Sequence, residues 1–421
     1  MEILHSQNPQ LVIAKLEAQA KQSDIAIANA LNWGEIDLVQ SAARSNDPLN
    51  VFGFKLQSGD ASFNDFGFNE FDTTNPNLLH VRPQNLNNPR ARNHFGTMLE
   101  WRLPLYSGGR IKYGIDATKI LYSLSKLDVK SLQKTQAKEL KNGFYTLRLL
   151  QSQEKELQKL YETLTYLEDL ATQMHLEGYG LKSDILEVQA RKAEVIKHQK
   201  DIEANREFVL HFISFLLDSK VNSVDTNLPN LEPIQINPKD TFLAQKAALG
   251  VELGSLHVKS QRADFLPTVG LRAQWGVAQE QLGSSGNEAY TIGLEFRWNL
   301  YKGGSSDEAL QKARIEHLKI AHQSHLATQK ASLDIAQLQT KTKQSDAQIQ
   351  SLLTQKELLD ALVLQYTERY KESLVSMDQV LRYQAQYLEN SLELNEARYQ
   401  KLKNLLELEA LTFGEKYENN Y

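Results

Sequence analysis

The sequence predicts a mainly α-helical chain that carries part of a transmembrane β-barrel. It is built as two structural repeats, each a β-hairpin followed by long coiled-coil helices. Three observations predict this. Leu99-Glu100-Trp101-Arg102-Leu103-Pro104-Leu105-Tyr106-Ser107-Gly108-Gly109 returns 195 residues later as Leu294-Glu295-Phe296-Arg297-Trp298-Asn299-Leu300-Tyr301-Lys302-Gly303-Gly304, with seven of eleven positions identical. Each copy ends a segment of strict period-two alternation, so large apolar side chains fall on one face and polar ones on the other. Each copy then opens onto a proline-free helical pattern of roughly 100 Å at 1.5 Å per residue.

In chain order, Asn8-Pro9 starts a helix that continues to about Leu31, and Trp33-Gly34 breaks it. A weak strand is expected over about Glu35 to Arg44. From Asn46 to Arg92 the chain is rich in Asn, Asp, Phe, Gly and Pro. It reads as a long loop holding one short amphipathic element, Val51 to Leu56; loops of this length are usually functional or exposed. The first strong strand spans Phe95 to Tyr106. Its apolar face is Phe95, Leu99, Trp101, Leu103 and Leu105, with Glu100 and Arg102 opposite. Gly108-Gly109 releases the backbone into a helix from Arg110 to about Leu176. A turn at Gly178-Tyr179-Gly180 leads to a second helix, Ser183 to about Leu217.

The second half repeats the plan. A helix covers about Thr241 to Asp264, and Phe265-Leu266-Pro267 breaks it. A strand then alternates Val269, Leu271, Ala273, Trp275 and Val277 against Gly270, Arg272 and Gln274. After a loop at Gln281 to Asn287, the strand Tyr290 to Tyr301 places Tyr290, Ile292, Leu294, Phe296, Trp298 and Leu300 on one face. Gly303-Gly304 opens a helix from Ser305 to about Tyr370. A turn at Ser373-Leu374-Val375-Ser376 leads to the last helix, ending near Phe413-Gly414. Leu352, Leu359, Leu362, Tyr366 and Tyr370, and then Leu388, Leu392, Tyr399, Leu402 and Leu406, form one-sided seams for helix packing. The expected domains are residues 1–217 (helix, hairpin about 35–106, helical hairpin 110–217), a 218–240 linker, 241–414 (helix, hairpin about 267–301, helical hairpin 305–413) and a 415–421 tail.

Composition narrows the function. The 421 residues carry a formal net charge of -5 and no basic block, so no nucleic-acid partner is suggested. The sequence has no cysteine, which removes disulfides and thiolate metal sites. No run of eighteen apolar residues exists, so no transmembrane helix is expected, and Met1-Glu2-Ile3 lacks the pattern of a signal peptide. His317, His322 and His325 lie close on one helix but lack a third ligand at helical spacing, so they read as surface histidines and no metal is expected. The glycine pairs are followed by no phosphate-loop pattern, and no nucleophile motif is present. No catalytic residue and no cofactor are therefore expected.

The strands assign two surfaces. Trp101, Tyr106, Phe296, Trp298 and Tyr301 are expected in a lipid-facing aromatic belt, the alternative being ordinary strand packing. Glu100, Arg102, Glu295 and Arg297 are expected to line a wet barrel lumen, the alternative being the solvated face of a soluble sheet. Four strands cannot close a barrel, and an open edge in hydrocarbon leaves backbone groups unpaired, so several copies must combine. The residues alone do not set the copy number.

Three groups of residues together resemble the TolC-like outer-membrane efflux protein family (outer membrane factors). They are Pro104 to Arg110 with its copy Asn299 to Gly304, then Phe265-Leu266-Pro267-Thr268-Val269-Gly270-Leu271, and the C-terminal Glu396-Ala397-Arg398-Tyr399 with Leu405 to Gly414. The resemblance implies a homotrimer with a twelve-strand outer-membrane barrel continuing into an α-helical periplasmic tunnel. It implies a passive exit duct of a tripartite efflux or type I secretion system. The partners are then a periplasmic adaptor (membrane fusion) protein, an inner-membrane pump of RND, ABC or MFS type, and outer-membrane lipid. By the same resemblance the adaptor-contacting tips are Gly178, Tyr179, Gly180, Leu181, Ser373, Leu374, Val375 and Ser376. The periplasmic gate is Asp184, Asp378, Gln379 and Arg382; an acidic residue early in a helix also has a bland reading, since it favours the helix dipole. Two departures from the family stand out: Arg382 occupies what looks like a second acidic place, and Ser373 replaces a tip glycine. The competing reading of the chain is a soluble coiled-coil scaffold or interaction protein.

Overall fold

The computed structural model describes residues 2–225, 231 and 234–412. Phe413, Gly414, the expected 415–421 tail and parts of the expected linker lie outside them. The chain forms two compact units, interleaved in sequence.

One unit comprises Lys21–Leu121 and Glu252–Leu318 and contains the sheet. Helix α1 (Glu2–Gln7) and helix α2 (Pro9–Ala30) precede strand β1 (Glu35–Ser45). Helix α3 (Pro48–Gln57) and the single turn α4 (Gln84–Asn87) follow, and then strand β2 (Arg92–Tyr106). Helix α5 (Arg110–Leu176), helix α6 (Lys182–Leu217) and helix α7 (Phe242–Arg262) lead to strands β3 (Thr268–Gln279) and β4 (Asn287–Arg297). The four strands form one antiparallel sheet in the order β1-β2-β3-β4.

Expectation and structure differ in two places. The first strand is full length and pairs with β2 from Glu35↔Arg102 to Ser45↔Arg92. The second hairpin ends at Arg297 rather than Tyr301, because β3 begins at Thr268, opposite Arg297, and supplies no partner beyond it. The short amphipathic element expected inside the 46–92 segment is α3, whose N-terminus is capped by Asp47 accepting from the Asn50 amide at 3.0 Å.

Glycine is required where the first repeat enters its sheet. Gly34 has φ +69°, and a Cβ there would lie 2.0 Å from the Arg102 carbonyl oxygen. Gly108, Gly109, Gly303 and Gly304 all have positive φ, so both strand-to-helix junctions use the left-handed turn that only glycine enters freely.

The other unit comprises Met1–Ala20, Tyr122–Val251 and Lys319–Tyr421 and is helical. Helix α8 (Ser305–Lys371), from Lys319 onward, and helix α9 (Met377–Ala410) complete it. Helices α5 and α8 are each 67 residues long and begin 195 residues apart. The duplication therefore runs from strand to tip without a net insertion. Leu157, Leu164 and Ala171 of α5 repeat every seven residues and pack with Val188 and Val195 of α6, the spacing of a coiled-coil seam. Asn8 anchors the N-terminal helices here: its Oδ1 accepts from the Leu11 amide at 3.1 Å, and its Nδ2 donates to the Leu216 carbonyl at 2.8 Å. It thus caps α2 and ties it to the end of α6.

The expected seam on α9 is only partly right. Leu406 is buried, but Met377, Gln384 and Ser391, spaced by seven, form much of the inward stripe, with Asn390 and Asn395 beside it. Asn390 donates to the Gln355 side chain at 3.1 Å, and Asn395 accepts from Ser152 at 3.1 Å. A search for apolar periodicity cannot see the amides and the hydroxyl that interrupt this otherwise apolar face.

Candidate functional site: sheet faces and hairpin tips

The pairing register sorts the sheet into two chemically distinct faces. On one, Leu38, Leu99, Trp275 and Tyr290 form a row across all four strands. The next row is Ile36, Trp101, Ala273 and Ile292, and the one after it is Leu103, Leu271 and Leu294. Val269 and Phe296 extend the face toward the helices. The rows from Phe296 to Tyr290 cover about 20 Å of strand, close to the roughly 25 Å apolar band of a membrane barrel. These side chains are not in a core: Ile292 is 68 % exposed and Phe296 64 % exposed.

The opposite face is ionic. Arg102 lies 3.1 Å from Glu35 and also pairs with Asp37 and Glu100. Glu100, although only 5 % exposed, is satisfied by Arg272 and by the Gln274 amide at 3.2 Å. A buried carboxylate requires such partners. Glu295 and Arg297, on the edge strand, pair with each other. Glu35, Asp37 and Arg272 belong to this face but were not among the expected lumen residues. The acidic pair lies on β1, whose alternation is weak in the sequence.

The aromatic residues gather at the helix-bearing end of the sheet. The Trp101 indole donates to the Trp33 carbonyl at 3.1 Å, and the Trp298 indole to the Phe265 carbonyl at 3.1 Å. Each carbonyl closes a short 3-10 turn, Leu31–Trp33 or Ala263–Phe265, that feeds the next strand. Tyr106, Tyr301 and Trp33 are exposed nearby in the chain. An apolar ring body with a satisfied polar tip is the chemistry of a membrane interface.

Among the described residues, the outer edges of β1 and β4 have no strand partner. Their free N–H and C=O groups are a template for another strand.

At the far end of the long helices, the two turns share one backbone solution. The Tyr179 amide donates to the Met174 carbonyl at 2.8 Å and the Leu374 amide to the Arg369 carbonyl at 2.9 Å, both spanning five residues. The preceding residue is left-handed in each: Gly178 at φ +88° and Ser373 at φ +60°. This is the Schellman pattern that ends a helix. The missing glycine is therefore a strained serine in the same geometry. Ser373→Gly is expected to stabilise the second tip by about 1 kcal/mol, read as slower amide exchange at residues 370–376.

Around these turns Leu176, Tyr179, Leu181 and Leu374 are exposed, whereas Gly180 and Val375 are half-buried and Ser376 sits at the start of α9. Asp184 accepts a hydrogen bond from the Tyr370 hydroxyl at 2.9 Å. Tyr370 is 3 % exposed and belongs to the core that unites the ends of all four long helices. Its phenol is held above the ordinary tyrosine range by burial, then by the bond to Asp184. Asp378 pairs with Arg382 one turn along α9 at 2.8 Å, both well exposed. Gln379 donates its amide to the Ser376 carbonyl in the first turn of α9. By spacing alone Tyr370 is a seam residue, since its partner lies 186 residues away.

No helix among the described residues is long and apolar enough to cross a membrane.

Residues 243–412 match the outer membrane efflux protein family. The chain is 26% identical over 153 residues to the alkaline protease secretion protein AprF of Pseudomonas aeruginosa. That match spans about a third (32%) of each chain. In fold, the chain is similar to CusC (TM-score 0.82, 13% identity, 98% of this chain and 90% of that one). It is also similar to the outer membrane protein VceC of Vibrio cholerae (TM-score 0.78, 16% identity, 98% and 95%). Over residues 243–412 the chain is thus similar to the TolC-like outer-membrane efflux family. That family is one of bacterial outer-membrane channels rather than enzymes. The family match lies within residues 243–412, while the shared fold covers 98% of the chain.

Proposed function

We propose that the chain is one subunit of a homotrimeric exit duct of the outer membrane, serving a tripartite efflux or type I secretion system. The observation that carries this reading is the sheet: four strands, two free edges, one apolar face exposed along its length and one ion-paired face. In a ring, β4 of one copy meets β1 of the next in antiparallel sense, because the four strands alternate direction. Three copies give twelve strands and no edge, the only form in which a sheet can stand in hydrocarbon. The apolar face then meets lipid, with Trp101, Tyr106, Phe296, Trp298 and Tyr301 in its belt. Glu100, Arg102, Glu295 and Arg297 line the water-filled lumen.

The two repeats, 1–217 and 241–414, joined by 218–240, supply each copy's two helical hairpins to a tunnel. The tips Gly178 to Leu181 and Ser373 to Ser376 receive a periplasmic adaptor, which couples the duct to an inner-membrane pump of RND, ABC or MFS type. Exposed Tyr179, Leu181 and Leu374 suit such a contact. Asp184, Asp378, Gln379 and Arg382 form the gate at the tunnel end. The duct moves cargo passively and needs no cofactor.

The test is the mass and conductance of the detergent-extracted protein. A trimer that forms ion channels in planar bilayers is expected. A protein that stays monomeric and soluble without detergent would refute the reading.

Arg382 makes the gate less acidic than a ring of carboxylates. Arg382→Asp removes three cations and adds three carboxylates per trimer. The expected result is a severalfold rise in cation preference, measured as reversal potential in a KCl gradient. An unmoved reversal potential would remove Arg382 from the aperture.

A further inference from the structure

The segment between β1 and β2 leaves the sheet at the end opposite the long helices, and it does not splay outward. Along β2, Arg92 and His94 lie on the same face as Glu100 and Arg102. The Phe54 ring of α3 stacks on His94 with centroids 4.3 Å apart and planes 9° from parallel. Arg92, 9 % exposed, donates to the Ser58 hydroxyl at 2.9 Å and pairs with Asp60, and its other terminal nitrogen lies 3.0 Å from Glu280. Gly59 sits beside Asn287, which pairs with Ala278 on that face. The segment is therefore pinned over the ion-paired side of the sheet.

Its free side is aromatic. Phe63-Asn64-Asp65-Phe66 and Phe68-Asn69-Glu70-Phe71 are a tandem repeat around Gly67, and both halves fold as 3-10 turns, Phe63–Phe66 and Phe68–Glu70. Gly67 is required between them, since it has φ +85° and a Cβ would lie 2.3 Å from the Pro83 side chain. Both acids are taken up internally: Asp65 pairs with Lys55 and binds Ser62, and Glu70 accepts from the Gln84 amide at 2.9 Å. The phenylalanines remain outside. Phe63 contacts Phe68 and Phe68 contacts Phe71, with centroids 5.3 and 6.4 Å apart, and all three stay exposed, Phe63 at 77 %. Uncharged aromatic surface of this kind marks an interface.

We infer that the 46–92 segments of neighbouring copies meet one another inside the ring through the Phe63–Phe68–Phe71 ladder and narrow its outer mouth. This rests on the trimeric barrel reading. The occupant is a second copy for two reasons. Closing the sheets with their apolar face outward turns the segment-bearing face inward, so the segments converge. Asp65 is also neutralised by Lys55 and the Glu70 carboxylate is held by the Gln84 amide, which reduces like-charge repulsion between copies. A duct of this kind has a second constriction at the end away from the tips.

The absence of cysteine permits a direct test by single-cysteine reporters. Phe68→Cys, an exposed position that tolerates truncation, is oxidised with copper phenanthroline in isolated outer membranes. Most of the protein is expected to run as a disulfide-linked dimer on a non-reducing gel. Ala42→Cys, at the same end of the sheet but on the apolar face, stays monomeric. A Phe68→Cys protein that assembles as trimer yet does not cross-link overturns the contact, whether or not a maleimide labels it. In a second measurement, residues 63–88 are replaced by a short Gly-Ser linker in the Tyr370→Phe background, so that the tip does not limit flow. Conductance at least twofold above the Tyr370→Phe parent is expected; an equal value overturns the narrowing. Failure of the barrel reading is separately visible as a wild type with neither trimer nor conductance.

Discussion

Ile292→Arg is expected to abolish assembly in the outer membrane, while Thr291→Arg, one residue away, leaves it intact. Both positions are exposed on β4 of the single chain, and they point to opposite faces. On a soluble scaffold, two exposed edge-strand positions would accept arginine with similar ease, each within about 0.5 kcal/mol. In a lipid-facing wall, arginine near the bilayer midplane costs about 2–4 kcal/mol. Ile292 lies in the middle of the apolar band, level with Ile36, Trp101 and Ala273. Three copies multiply the penalty in one assembly, to about 6–12 kcal/mol, comparable with the whole stability of a typical domain. Thr291 lies in the row of Asp37, Glu100 and Gln274, where an added cation meets carboxylates and water. The readout is the trimer band in sucrose-gradient outer-membrane fractions. Equal assembly of the two variants would place water, not lipid, against the apolar face.

Tyr370→Phe is expected to open the duct without unfolding it. The substitution keeps the ring in the core formed with Leu164, Val188 and Met377 and removes only the hydroxyl that binds Asp184. A hydrogen bond to a charged group contributes about 1.5–3 kcal/mol. Asp184 is only partly buried, so water replaces part of that, and the lower end applies. At about 1.4 kcal/mol per factor of ten, each tip shifts roughly tenfold toward opening. The effect compounds if the three tips move together. The expected signature in planar bilayers is a longer open time and higher mean conductance at low voltage, with a cooperative thermal transition retained. Burial and Asp184 both hold the phenol above its usual range, so the proton it donates stays in place under alkaline conditions that would ionise a free tyrosine. Wild-type gating in Tyr370→Phe would show that the bond joins the helices without latching them.

The helix ends, the two strong strands and the glycine junctions were legible in the residues, because each is decided locally. Period-two alternation forces one face of β2 and β4 to be apolar whatever surrounds them. A proline-free stretch between Gly-Gly and a Schellman turn has no other place to end, which is why α5 was placed correctly at both limits. Where the decision belongs to a distant neighbour, local pattern was silent or misleading. β1 is a full strand because β2 pairs with it along eleven residues, not because Glu35 to Ser45 alternates well. β4 stops at Arg297 because β3 begins at Thr268, although its own pattern continues to Leu300. The inward stripe of α9 is polar at Gln384, Ser391 and Asn395, and Asn395 finds its partner Ser152 on a helix that meets α9 only in the folded chain. The Tyr370–Asp184 bond and the inward fold of the 46–92 segment are of the same kind. Sequence by itself determined which faces are greasy, which segments are straight and where the chain turns, since those follow from side-chain period and backbone sterics. Only the tertiary structure decided which of those faces share a sheet and which polar groups find partners, because pairing and desolvation depend on atoms that the chain brings together from hundreds of residues apart.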